Sequence, residues 1–441
     1  MASNVEDILA RIQAAGAKYS KEKNTLSGAR DELIRMSRRL IASLELPSEA
    51  MMRMGWAEPA LAANCRIAVD LGLFHHLKEG GRAGVTVRDL AARCKADEEL
   101  ISRIMRHFAA MNLIRETEDE DTYTATGLTD AFTDPRYEGG HIMCFDIVGK
   151  SFQHLPTYLK STTYTLPPEE KGSTTHRGPF QAAHDTDLPF FAWLDRTPPY
   201  LDAFNSYMST YRAGKRSWAE EGLYPVSERL IEGFDPSVSD VFLVDVGGGR
   251  GHDLLELREL FLDNESESKS KSKIPGKLIL QDRPGVIASI NKPQEEERRE
   301  EEPFEAIPHD FFTPQPARAR HARAYYLHSI LHNWSDADCV SILRNIRPAM
   351  KPGYSRLLIN ELVIPSGRKG RNRDELSRHW PTTALDQVML VLVARKERTR
   401  EHFKRLLDEA GFRLVEVYSH DTGHESLIEA EVLEDGVDVG E

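Results

Sequence analysis

A chain of 441 residues is longer than one ordinary domain, and its 40% hydrophobic content supplies real cores, which argues against global disorder. The formal net charge of −13 argues against a nucleic-acid partner, whose phosphates demand a basic face. Four cysteines (Cys65, Cys94, Cys144, Cys339) stand apart with no CxxC pair, against a disulfide framework or zinc knuckle and in keeping with a reducing compartment.

The first twenty or so residues (MASNVEDILARIQAAGAKYSKEK) pattern as an amphipathic, mixed-charge helix without the unbroken apolar run of a secretory leader. Nothing approaches the roughly 20 apolar residues of a membrane span, so no membrane partner and a cytoplasmic location are expected. Ser48–Leu77 places apolar residues at helical spacing until Gly80-Gly81 ends it. The next stretch, TVRDLAARCKADEELISRIMRHFAAMNLI, predicts two short amphipathic helices, and RETEDEDTYTAT alternates about an acidic turn as a small wing. Together they predict a winged helix. A DNA-reading helix would need uncompensated basic residues, whereas Arg103, Arg106 and His107 are offset by Asp97, Glu98, Glu99 and the acidic wing. An interaction or dimerisation module is the expectation for residues 1–133.

Residues 134–235 read as helices and loops lined with aromatics and methionine, a linker able to contribute to a pocket for a flat ligand. From Val241 apolar strands (VFLVDVGGG, KLILQD, ARAYYLHSIL, SRLLINELVI) alternate with helical runs, the signature of a parallel sheet with helices on both faces. Residues 236–441 are therefore expected to form one Rossmann-like domain. Two inserts interrupt it, the low-complexity Ser266–Lys273, read as a flexible loop, and the charge run Glu295–Glu302, read as a solvated helix or loop; the basic Gly367–Arg373 reads as a solvent loop.

The most specific signal is Val244-Asp245-Val246-Gly247-Gly248-Gly249-Arg250-Gly251, after a strand and before the helical run HDLLELRELF. Glycines there let the chain turn sharply and let a ligand approach the backbone beside a helix amino terminus. A dinucleotide fingerprint needs GxGxxG, but its third position would be His252. The spacing is Asp-x-Gly-x-Gly-x-Gly instead. Asp282 ends the next strand, where an acidic group can accept both hydroxyls of a ribose. His309-Asp310-Phe311 follows a further strand. After the fourth comes Tyr326-Leu327-His328-Ser329-Ile330-Leu331-His332-Asn333-Trp334, with two later carboxylates, Glu361 and Glu397.

This ordered set resembles the class I S-adenosylmethionine-dependent O-methyltransferases of plants and fungi that act on small molecules, including those that tailor fungal polyketides. The resemblance runs from about Ser48 onward and is most specific from Asp245 to Thr399. It implies an α/β fold, a Rossmann-like methyltransferase domain with an amino-terminal helical winged-helix dimerisation domain, and a homodimer. It implies S-adenosylmethionine held by Asp245, Gly247, Gly249, Gly251, Asp282, Asp310, Phe311 and His328. It implies a general base at His332, flanked by Glu361 and Glu397, and a small hydroxylated substrate lined by Phe204, Asn205, Met208, Asp386 and Met389. The chain departs from the family at His332-Asn333, where His-Asp is usual, at His328, commonly Arg or Lys, and at Arg212, where a small polar residue is expected.

Histidines four apart, His328 and His332, would make a metal pair on a helix, but the motif lacks the glutamate of HExxH and follows a strand-like YYL, so no metal is expected. Two alternatives stay open. Some fungal proteins resembling this family are pericyclases that keep the fold and cofactor, and a non-catalytic interaction protein would not need the histidine and carboxylates.

Overall fold

The computed structural model describes residues 5–22, 28–166, 177–211, 216–261, 273–290, 303–365, 380–419 and 425–433. Arg212, the Glu295–Glu302 and Gly367–Arg373 stretches, and all of Ser266–Lys273 but its last residue lie outside them. The chain divides into two compact units, 1–165 with 177–214 and 166–176 with 215–441.

In the first unit, helices Val5–Glu22 and Gly28–Leu44 pack together, tied by an Arg11–Glu32 ion pair of 2.7 Å. The helical run expected from Ser48 is broken into helices Pro47–Met52, Glu58–Asp70 and Leu73–Glu79, with a wide turn at Arg53–Ala57. The last break falls at Gly72, whose φ of +61° is cheap only for glycine. The two amphipathic helices form at Val87–Cys94 and Glu98–Ala110, where Thr86 and Asp97 cap the first turns by accepting backbone N–H bonds. Strands β1 (Val85–Thr86), β2 (Arg115–Glu116) and β3 (Thr122–Thr124) make an antiparallel sheet in the order β1-β3-β2. Helices and wing close over Phe74, Leu90, Ile104, Met105 and Phe108, with Phe74 stacked on Phe108 at 5.7 Å. This is a winged helix.

The second unit is built on β4 (Val241–Val246), β5 (Lys277–Asp282), β6 (Glu305–Pro308), β7 (Ala324–His328), β8 (Arg356–Glu361), β9 (Val363–Ile364), β10 (Arg398–Thr399), β11 (Phe412–Ser419) and β12 (Ser426–Val432). Seven of these form one sheet in the order β11-β12-β8-β7-β4-β5-β6, and β9 and β10 pair separately. Successive residues face opposite layers. Val244, Tyr325 and Leu357 pack toward helices Asp336–Ile346 and Arg400–Ala410, while Leu243, Tyr326 and Leu358 pack toward helix His252–Leu260.

The expectation of a parallel sheet needs correction. Strands β4 to β8 are parallel, but β12 runs antiparallel to both β8 and β11. The link between β11 and β12 is too short for a parallel crossover, which takes a dozen residues or more. The chain leaves β4 toward β5 and β6, then returns to place β7 on the other side of β4. That reversal is the switch point outside which open α/β sheets take their ligands. Among the described residues no helix is long and apolar enough to cross a membrane.

Candidate active site

Two turns flank the switch point, one after β4 and one after β7. In the first, Gly247, Gly249 and Gly251 have φ of +80°, +60° and +78°. The turn is tied to its neighbour strand, because the N–H groups of Gly247 and Gly248 donate to the Gln281 carbonyl at 2.8 and 3.1 Å. A Cβ at Gly247 would lie 2.7 Å from Ile330 Cδ1, and one at Gly251 would lie 2.6 Å from the Phe304 ring. At Gly248 it would collide with the carboxylate of Asp245, which is wholly buried beneath the turn. Only the Gly249 position is open on that side, with nothing within 4 Å.

Asp282 stands beside that opening. Its Oδ2 accepts the Gly249 N–H at 2.8 Å and its Oδ1 accepts the Arg283 N–H at 2.7 Å. Burial pushes its carboxyl above the ordinary range, against the pull of those two amides. Each oxygen keeps a lone pair for a further donor. Phe311 packs edge-on to Trp334 and passes 3.6 Å from the Gly247 Cβ position, whereas Asp310 is exposed and accepts the Phe312 N–H at 3.0 Å.

The second turn begins at Ser329, whose φ of +52° reverses the chain out of β7. His332 sits in the tight turn Leu331–Asn333, so His328 and His332 do not share a helix. Its Nδ1 is 2.8 Å from Glu397 Oε1 and 3.7 Å from Glu361 Oε2. Glu361, fully buried at the end of β8, also accepts the N–H of Leu331 at 2.7 Å and of His332 at 3.4 Å through Oε1. Burial alone would push the His332 pKa down, but the Glu361 charge and the Glu397 hydrogen bond outweigh it and raise it above 6.5. Burial pushes the Glu361 carboxyl up, with His332 and Arg398 pulling it back. The three side chains are near enough, within 4.8 Å, to hold a metal ion, but Nδ1 and Glu361 Oε1 are already engaged in hydrogen bonds.

Residues 225–413 match the O-methyltransferase domain, and residues 63–135 match the O-methyltransferase dimerisation domain. The O-methyltransferase mpaG of Penicillium roqueforti is 42% identical, over 98% of this chain and 100% of that protein. The chain belongs to the O-methyltransferase family. Among solved structures, LepI in complex with S-adenosylmethionine superposes with a TM-score of 0.79 at 27% identity, covering 98% of this chain and 100% of that one. A pericyclic reaction enzyme superposes with a TM-score of 0.79 at 27% identity, covering 97% of this chain and 100% of that one.

The methyltransferase uses S-adenosylmethionine, and the first turn fits it. Three left-handed glycines expose backbone on the open side at Gly249, and Asp282 presents acceptors next to that opening. The remaining expected residues are distributed as follows. His328, at the end of β7, is nearly buried, with Nδ1 2.8 Å from Asp253 Oδ2 and Nε2 3.4 Å from Glu425 Oε2. Asp386 accepts the Glu397 N–H at 2.8 Å, and Met389 is buried on the same helix, Trp380–Val393. Phe204, Asn205 and Met208 lie on helix Tyr200–Tyr211 of the first unit, Phe204 edge-on to Phe190 and Phe191.

Sequence reasoning missed four contributors: Ile330 against Gly247, Asp253 and Glu425 around His328, and Arg398. The structure also accounts for one departure. Asn333 Nδ2 donates to the Ser329 carbonyl at 3.1 Å and closes the turn, a bond that an ionised aspartate could not donate.

Proposed function

We propose that this O-methyltransferase transfers the methyl group to a phenolic hydroxyl of a small secondary metabolite, with His332 as general base. The observation that carries the reading is the 2.8 Å contact between His332 Nδ1 and Glu397 Oε1. An ionised carboxylate only accepts, so Nδ1 carries the proton and the basic lone pair belongs to Nε2. A phenol with pKa near 10 is a poor nucleophile until it loses its proton. Nε2 accepts that proton, and the imidazolium formed is stabilised by Glu397 and Glu361. S-adenosylmethionine, when bound, supplies a methyl group on a sulfonium centre open to in-line displacement. Asp245, the Gly247–Gly251 turn, Asp282 and His328 serve the cofactor, with Asp310 and Phe311 at its adenine end. Asp386 and Met389 line the acceptor side of this unit, and the resemblance assigns acceptor binding to Phe204, Asn205 and Met208 as well.

The purified protein, given labelled S-adenosylmethionine and a panel of phenolic polyketides, should yield labelled product about 14 Da heavier, CH₂ gained as the phenolic proton goes to the base. One observation favours a second reading, the likeness to a pericyclic reaction enzyme at 27% identity. That reading gives a product of unchanged methyl count, activity that survives loss of His332, and strong dependence on His328. Unlabelled, isomeric product would replace the first reading with the second.

We also infer a homodimer, a reading supported by the first unit's surface. Ile41, Leu44, Leu46, Met51, Met54 and Trp56 are exposed close together in sequence, Trp56 by 71%. A second copy would bury that stripe. Light scattering should give twice the 49.9 kDa of one chain, and a monomer at micromolar concentration would refute it.

A further inference from the structure

Arg398 is the largest fully buried side chain in the described residues, 1% exposed, and directly follows Glu397. A buried guanidinium usually meets a carboxylate, and Asp336 takes that part, its Oδ1 accepting from Nε at 3.0 Å and Nη2 at 2.9 Å. The other donors go elsewhere. Nη1 donates to the Leu331 carbonyl and Nη2 to the Trp334 carbonyl, each at 2.7 Å. Those two carbonyls bracket His332. Asp336 is itself fixed from the far side by His402 Nε2 at 2.7 Å, with Lys396 Nζ at 3.8 Å.

We propose that Arg398 is a positioning residue for methyl transfer: its planar fork, planted between the Leu331 and Trp334 carbonyls, holds the turn that aims His332. The proposal rests on His332 being the base. The turn is gripped on both sides of its peptide chain, Glu361 taking N–H groups and Arg398 serving carbonyls, while Glu397 takes the ring. All three grips share one anchor. Strand β10 pairs with β9 at Arg398 and Val363, two residues beyond Glu361. Lysine could neutralise Asp336 but could not reproduce the fork, since its ammonium is a point charge on a flexible stem. The same cation restrains the upward push that burial gives Glu361.

The test compares Arg398→Lys, His332→Ala and the double variant. Arg398→Lys should lower kcat about 10²-fold, the scale of an ångström misplacement of a catalytic group, with KM and cofactor affinity little changed. In the His332→Ala background the same change should cost nothing further; independent, multiplying losses would overturn the proposal. Nitrogen NMR of the imidazoles gives a readout that needs no acceptor, with the His332 signal identified by its absence from His332→Ala. Arg398→Lys should shift that signal and expose its Nδ1 proton to exchange, and an unmoved signal would overturn the proposal whether or not the wild type methylates anything. Should Arg398→Lys fail to bind cofactor, Asp336→Asn carries the same comparison from the other end of the brace, with a smaller loss expected and multiplying losses again fatal.

Discussion

The turns after β4 and β7 stand side by side at one end of the sheet and are made of different materials. The first is backbone: three left-handed glycines, two N–H groups on the Gln281 carbonyl and one on Asp282. The second is side chains from three separate places, with His332 held by Glu361 from β8, by Glu397 and Arg398 where β10 begins, and its turn closed by Asn333. Every class I methyl transfer needs the same donor, so a backbone cradle suits it. Proton removal needs a chosen nitrogen at a chosen pKa, which only side chains provide. Damage to the first turn should therefore appear as lost cofactor affinity, and damage to the second as lost turnover.

The largest expected effect is at His332, the proposed base. His332→Ala should reduce kcat by about 10²–10⁴-fold with cofactor affinity nearly unchanged, checked by steady-state kinetics beside calorimetry. Asp282→Ala should do the converse, weakening S-adenosylmethionine by about 1.5–3 kcal/mol in calorimetry as acceptors for two ribose hydroxyls vanish. A similar loss of affinity in both variants would erase the distinction between the turns. Gly249→Ala should cost about 1–2 kcal/mol of backbone strain, since its φ is +60°, and crowd only the open side. Gly247→Ala adds a collision with Ile330 and should disturb turnover as well as affinity. The smallest effect is a shift in pH. The proposed base, His332, works only when neutral, and its pKa is raised, so kcat should fall below a midpoint lying above 6.5. Glu361→Gln removes a charge that raises that pKa, so the midpoint should move to lower pH with only a mild loss on the plateau. An upward shift would contradict the assigned role of Glu361.

The backbone turn was the easier of the two to read. Glycine spacing is written in consecutive letters, and β4 announces itself as VFLVDV because all six residues are buried. The second turn became legible only through the order His332, Glu361, Glu397 along the chain, which carries no geometry of its own. Arg398 escaped because its partners at 331 and 334 are carbonyls, identical in every residue. Strand β12 escaped because Glu429 interrupts its apolar run; that carboxylate is buried against Arg229, at 2.7 Å and 200 positions earlier in sequence. The break at Gly72 was hidden inside an otherwise continuous helical rhythm.

Ile330 touches the space that a side chain at Gly247 would fill, and it lies two residues before His332. One isoleucine thus joins the glycine turn to the turn that carries His332. None of the groups that set this spacing belongs to the amino-terminal unit, where Phe204, Asn205 and Met208 reside. Mutation at those three proposed acceptor-binding residues should therefore change acceptor choice while this spacing stays as it is.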